Sequence, residues 1–111
     1  MATDKSFAEY ILDQIDDKKA WVRAMFGEFA IYYDDKVVGL ICDNTLFLKV
    51  TENSEKLLTG NKTGPAYKGA KPSYIISEEI LEDPKQLKKI ILGIYDDLPA
   101  PKNKNKKLKK A

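Results

Sequence analysis

The chain predicts an α+β domain, an antiparallel meander with a helix at either end. Three observations carry that expectation. Between residues 22 and 50, four apolar, β-prone runs follow one another, separated by glycine or by pairs of turn-forming residues. Before and after that region, apolar side chains recur at helical spacing instead. At 111 residues and 43% apolar composition, the chain fits one globular domain that buries roughly two-thirds of its unfolded surface.

Taken in order, Ser6 followed by Glu9 reads as a capping box, each side chain satisfying an orphan donor at a helix start. Phe7, Tyr10, Ile11 and Ile15 then form one apolar stripe, and Asp16-Asp17-Lys18-Lys19 ends the helix in a solvated turn. A first strand is expected over residues 22–26 and a second over 29–33, with Gly27 as the bend or bulge between them. Asp34-Asp35 suits a tight hairpin turn, although Asp-Gly or Asn-Gly is the preferred pair there. Residues 36–42 make the third strand, Asp43-Asn44 the next turn, and 45–50 the fourth strand. Phe29, Ile31 and Tyr33 fall on one face while Ala30 and Tyr32 fall on the other. Apolar residues of both parities imply helices on one face and a partner at the other.

Beyond the meander, Asn53 or Ser54 caps a short helix carrying Leu57 and Leu58. Residues 60–72, with three glycines and two prolines, read as loop throughout, and 73–76 as a last strand. Asp83-Pro84 is a strong helix start, with Asp as cap and Pro at the first position. Leu87, Ile90, Ile91, Ile94 and Leu98 form its inward stripe, and Pro99 and Pro101 stop it. The domain therefore spans residues 1–98, and 99–111 form a lysine-rich tail expected to be disordered.

The chemistry is defined first by what is missing. There is no histidine, which removes the usual imidazole base, the Ser-His-Asp and Cys-His arrangements, and the commonest zinc ligand. The one cysteine, Cys42, ends an apolar strand and reads as a buried, inert thiol in a reducing cytoplasm. No apolar run approaches the ~20 residues of a membrane helix, and Met-Ala-Thr-Asp-Lys at the N-terminus has no signal-peptide character. Neither cofactor nor metal is expected. Four carboxylate pairs (Asp16-Asp17, Asp34-Asp35, Glu78-Glu79, Asp96-Asp97) sit at turns or helix ends, where solvated acids belong. The last pair opposes the dipole of its own helix.

Arg23 is the single arginine. It suits a bidentate anion anchor or a structural ion pair, with Glu28 the nearest partner. Trp21 and the six tyrosines suit core and interface packing, or base stacking. Charge is unevenly spread. Lys102, Lys104, Lys106, Lys107, Lys109 and Lys110 lie after Pro101; without them 13 basic residues face 17 acidic ones, so the body carries −4 and the tail +6. Such a tail suits non-specific phosphate contact with DNA, or solubilisation alone.

One pattern goes further than composition. Arg23-x-Met25-Phe26-Gly27, then Tyr32, the turn near Asp34, Val37-Val38-x-Leu40-Ile41 and Leu46-Phe47-Leu48-Lys49 together resemble the N-terminal domain of the TfoX/Sxy competence regulators. Pro65-x-Tyr67-x-Gly69-Ala70-Lys71-Pro72 resembles a loop of one branch of that family, which also tends to have lysine-rich C-termini. Asp35 departs from the pattern, standing where the family places glycine. The resemblance implies a strongly curved antiparallel sheet flanked by helices, similar to secretion-chaperone folds, and often dimeric. It implies a homodimeric, cytoplasmic, non-enzymatic module that contacts a transcription-regulator protein, since two-domain relatives work with the cyclic-AMP receptor protein at competence promoters. It brings no catalytic residue. Its motif residues Arg23, Met25, Phe26, Gly27, Glu28, Tyr67, Gly69, Lys71 and Pro72 are the candidate interaction site. The alternative is a small-ligand or enzymatic cleft near Arg23, Glu28 and Tyr67.

Overall fold

Residues 3–25 and 27–99 are described by a computed structural model, and the meander expected from the sequence is its centre. Helix α1 (Lys5–Ile15) leads into β1 (Ala20–Met25), β2 (Glu28–Tyr33), β3 (Lys36–Cys42) and β4 (Thr45–Leu48). Then come α2 (Glu52–Leu57), β5 (Thr63–Pro65), β6 (Pro72–Ile75), α3 (Glu78–Leu81) and α4 (Pro84–Asp97). All six strands join one antiparallel sheet in the order β1-β2-β3-β4-β6-β5. The architecture is α+β, as the apolar periodicities predict.

Sterics at the turns fix the meander. Gly27 has φ 84° between β1 and β2, while Asp34, Asp43 and Asn44 take left-handed conformations in the next two turns. Short polar side chains tolerate that region because they bond locally. Between Ile31 and Tyr32 the β2–β3 register shifts, so Val38 and Gly39 together oppose Ile31. This bulge turns Val38 into the core, where it is fully buried. Gly39 is required for a second reason: a Cβ there would lie 2.2 Å from the Phe47 carbonyl oxygen.

The helices cover one face of the sheet. Ile11 and Ile15 of α1 and Leu87, Ile90, Ile91 and Ile94 of α4 pack onto Ile31, Val38, Ile41, Leu46 and Leu48. The i, i+3, i+4, i+7 spacing of α4 places all four of its core residues on one stripe.

Several sequence expectations need correction. The Ser6–Glu9 capping box is replaced by an Asp4 N-cap with no side-chain cap bond. The second helix is capped by Thr51, and Ser54 is its reciprocal partner in the capping box. The first strand begins at Ala20, the fourth ends at Leu48, and the last runs from Pro72 to Ile75. The segment read as loop contains β5, a three-residue edge strand of Thr, Gly and Pro. Ser77 starts α3, a single turn that sequence periodicity is too coarse to register. Phe26, and the tail from residue 100, lie outside the described residues.

Candidate functional site

Strand β1 has one face toward the core and one away from it. Ala20 and Val22 pack against the core, so alternation places Trp21, Arg23 and Met25 on the opposite face. Trp21 remains 42% exposed and Met25 38%. The indole stacks on Tyr32 of β2 with ring centres 4.1 Å apart and planes 11° from parallel. Its Nε1 donates to the Asp34 carbonyl at 2.8 Å. The stack is therefore held in place from two directions while its outer side stays in solvent.

The loop after β5 comes back across this same side. Ala66 and Tyr67 approach Met25, Glu28, Leu40 and Cys42 around a hollow of about 410 Å³. Its walls are chiefly apolar. The one acid, Glu28, is already engaged: its Oε1 accepts from the Thr3 hydroxyl and from the Asp43 N–H at 3.1 Å. The Thr3 hydroxyl bond, opposed by burial and reinforced by the Asp43 amide, holds the Glu28 carboxyl below the usual carboxylate range. Burial, with the nearby charges of Glu28 and Asp43, pushes the Cys42 thiol up. An ionised acid with a committed oxygen and a protonated buried thiol are poor tools for proton transfer or nucleophilic attack near neutral pH. Among the described residues no group of three or more His, Cys, Asp or Glu is placed to hold a metal ion.

The sequence-nominated residues separate into groups. Met25, Glu28 and Tyr67 meet at the hollow, with Tyr67 61% exposed at its rim. Arg23 is on the same sheet face but does not line the hollow. Of the two readings of Arg23, the ion pair with Glu28 is not formed: among the described residues the ion pairs are Lys56–Glu52 and Lys88–Asp17. Glu28 turns instead to hydroxyl and amide donors that reach it without a long, mobile arm. Gly27 accepts the Thr3 N–H on its carbonyl at 3.0 Å, and Gly69 has φ 88° in the returning loop. Lys71 and Pro72 line a separate open depression beside Lys49 and Ser73. Phe26 and the six tail lysines lie outside the described residues.

Thr3 is the participant that sequence reading missed. It bonds residues 25 and 41 positions away, and no local pattern signals a contact at that range. No helix among the described residues is long and apolar enough to cross a membrane.

A family model described as the TfoX N-terminal domain matches residues 12–96. The chain is also similar to an uncharacterised 12.7 kDa protein in the trpE 5′ region of Spirochaeta aurantia. The two are 36% identical over 110 residues, covering 98% of this chain and 95% of that protein.

Proposed function

This chain belongs to the TfoX N-terminal domain family, and from that premise we propose that it is a non-enzymatic, cytoplasmic interaction module. It acts as a homodimer in the control of transcription, through contacts with a regulator protein, and its tail lysines add non-specific affinity for DNA. A role in DNA-transformation competence rests on the family resemblance alone.

The observation that supports protein contact is the uncovered sheet face along β1. There the Trp21–Tyr32 stack and Met25 stand partly in solvent beside the hollow under Tyr67. Large aromatic and methionine side chains are over-represented in interface cores, since they bury much area with few rotamers to fix. The alternative, a small-ligand site, is favoured only by the volume of the hollow; its polar complement is a single, already bonded carboxylate.

Salt titration of duplex-DNA binding tests the nucleic-acid part. If all six tail lysines contact phosphate, truncation after Leu98 should lower the slope of log affinity against log salt by up to about five. An unchanged slope, or no binding by the full chain, removes DNA from the reading and leaves protein contact.

A further inference from the structure

We propose that β1 is the docking strand for a second copy of this chain. The two β1 strands pair antiparallel about a two-fold axis at Val22, setting Trp21 of each copy beside Arg23 of the other. This rests on the homodimer reading above and specifies the surface and register that make it.

Among the described residues the sheet order leaves β1 at one margin, with β2 as its one neighbouring strand. Exposed edges are normally guarded by lysine, proline, a bulge or an inward-pointing charge. Strand β1, Ala-Trp-Val-Arg-Ala-Met, has no lysine or proline, and its register with β2 is unbroken over six residues. Its one charge, Arg23, points to the outer face rather than the core.

The backbone alternation says which groups are on offer. The Asp34 N–H donates to the Lys19 carbonyl at 2.7 Å, at the open end of the β1–β2 ladder. In an antiparallel pair, inward and outward amides alternate. The Lys19 carbonyl and the peptide groups of Trp21, Arg23 and Met25 therefore bond toward β2, and Ala20, Val22 and Ala24 direct their peptide groups outward; the Lys19 N–H itself donates to the Asp17 carboxylate at 3.0 Å. The Ala20 N–H is taken up by the Asp17 carbonyl at 3.0 Å, which leaves the N–H groups of Val22 and Ala24 as the outward donors.

Charge selects the register. Outward amides must meet outward amides, so pairings that overlap most of the strand centre on Trp21, Val22 or Arg23. Centring on Arg23 places two guanidinium groups opposite each other. Centring on Trp21 places Arg23 opposite Lys19 of the second copy. Like charges directly opposite destabilise a sheet pair. Centring on Val22 avoids both arrangements. It gives two reciprocal Trp21–Arg23 neighbours, in which a guanidinium can lie over the indole face that Tyr32 does not cover. It also brings Met25 beside Lys19 of the second copy.

Sedimentation equilibrium of the full chain and three variants tests this. Ala24→Pro removes an outward N–H at an exposed position without touching the β2 ladder, and Trp21→Ala removes the cation's partner. Each should raise the dimer dissociation constant by about ten-fold or more. Met25→Glu should lower it by about two- to five-fold, through a cross-strand pair with Lys19 that exists only in the Val22-centred register. Circular dichroism confirms folding of each variant, and should Ala24→Pro fail to fold, the other two still decide. A full chain that stays monomeric at about 100 μM, weaker than a micromolar dimer, overturns the homodimer reading and this inference together. A dimer indifferent to Trp21→Ala and Met25→Glu leaves the homodimer standing and overturns β1 as its seat.

Discussion

The hydroxyl of Tyr33 donates to Asp17 at 2.7 Å, and Lys88 approaches the same carboxylate at 3.4 Å. The two partners shift in opposite directions. The carboxylate, then burial and the charge of Asp17, push Tyr33 up to about 12. The Lys19 amide and then the Tyr33 hydroxyl hold Asp17 below its ordinary value. For Tyr33 the folded state favours the protonated phenol, so its contribution is complete below the unfolded value of 10.0 and is lost as pH rises toward 12. For Asp17 the folded state favours the anion, so its contribution holds above the ordinary carboxylate range and is lost as pH falls through the depressed value. A tyrosinate absorbance titration should therefore show a group ionising near pH 12, absent in Tyr33→Phe. That variant should also lose less stability than the parent between pH 10 and 12. Nearby, Lys36 donates to the carbonyls of Tyr95 and Leu98 at 3.0 and 2.8 Å, with its ammonium 4.1 Å from the Tyr95 ring centre. A cation from another strand thus closes the C-terminus of α4, which its own sequence leaves acidic.

Between elements, the acidic end of α4 acquires a purpose that its own helix does not supply. Asp97 accepts the Asn53 N–H at 2.8 Å and the Asn53 side-chain amide at 2.9 Å, so it caps the first turn of α2. A carboxylate there satisfies an orphan donor and complements the positive end of the α2 dipole. The helices come this close because residue 93 is glycine: a Cβ would stand 3.0 Å from that of Asn53. Asp97→Ala should speed hydrogen exchange at the Asn53 amide and through the first turn of α2, while the core amides of α4 keep their protection. This contact marks the limit of what sequence reading reaches. Elements set by local chemistry were legible: Asp83-Pro84 opens α4 with the Gln86 N–H bonded to the Asp83 carboxylate, and the β3 boundaries follow directly from the apolar run. Elements set by distant partners were not. The pairing that makes β5 a strand lies on β6 and leaves no trace in Thr-Gly-Pro itself. At the candidate site, Met25, Glu28 and Tyr67 line one hollow, but the sequence offers Arg23 as a neighbour for Glu28 and gives no sign of Thr3, its partner 25 residues away.

Across the whole molecule, the N-terminal segment fastens the meander. Thr3 receives the Asn44 N–H on its hydroxyl at 3.2 Å and donates that hydroxyl to Glu28, while Asp4 donates its N–H to Asn44 at 2.9 Å. Gln14 adds a bond to the Leu81 carbonyl at 2.6 Å, joining α1 to α3. Thr3→Val keeps the volume and removes the hydroxyl's bonds to Glu28 and Asn44, together with its longer contact to the Ile41 carbonyl at 3.4 Å. It should cost about 2 kcal/mol in urea denaturation, with a single cooperative transition retained. The sheet's two margins are also unequal, which bears on the stoichiometry of the proposed assembly. At the far side β5 offers three residues, ending in a proline that has no N–H to give. A subunit with two extendable margins is a link in a polymer, because every addition exposes a fresh growing end. In the β1–β1 pair proposed above, union would consume the extendable margin of both copies and leave β5 outermost on each flank. Growth would then terminate at two, and raising the concentration would populate the pair without lengthening a fibre.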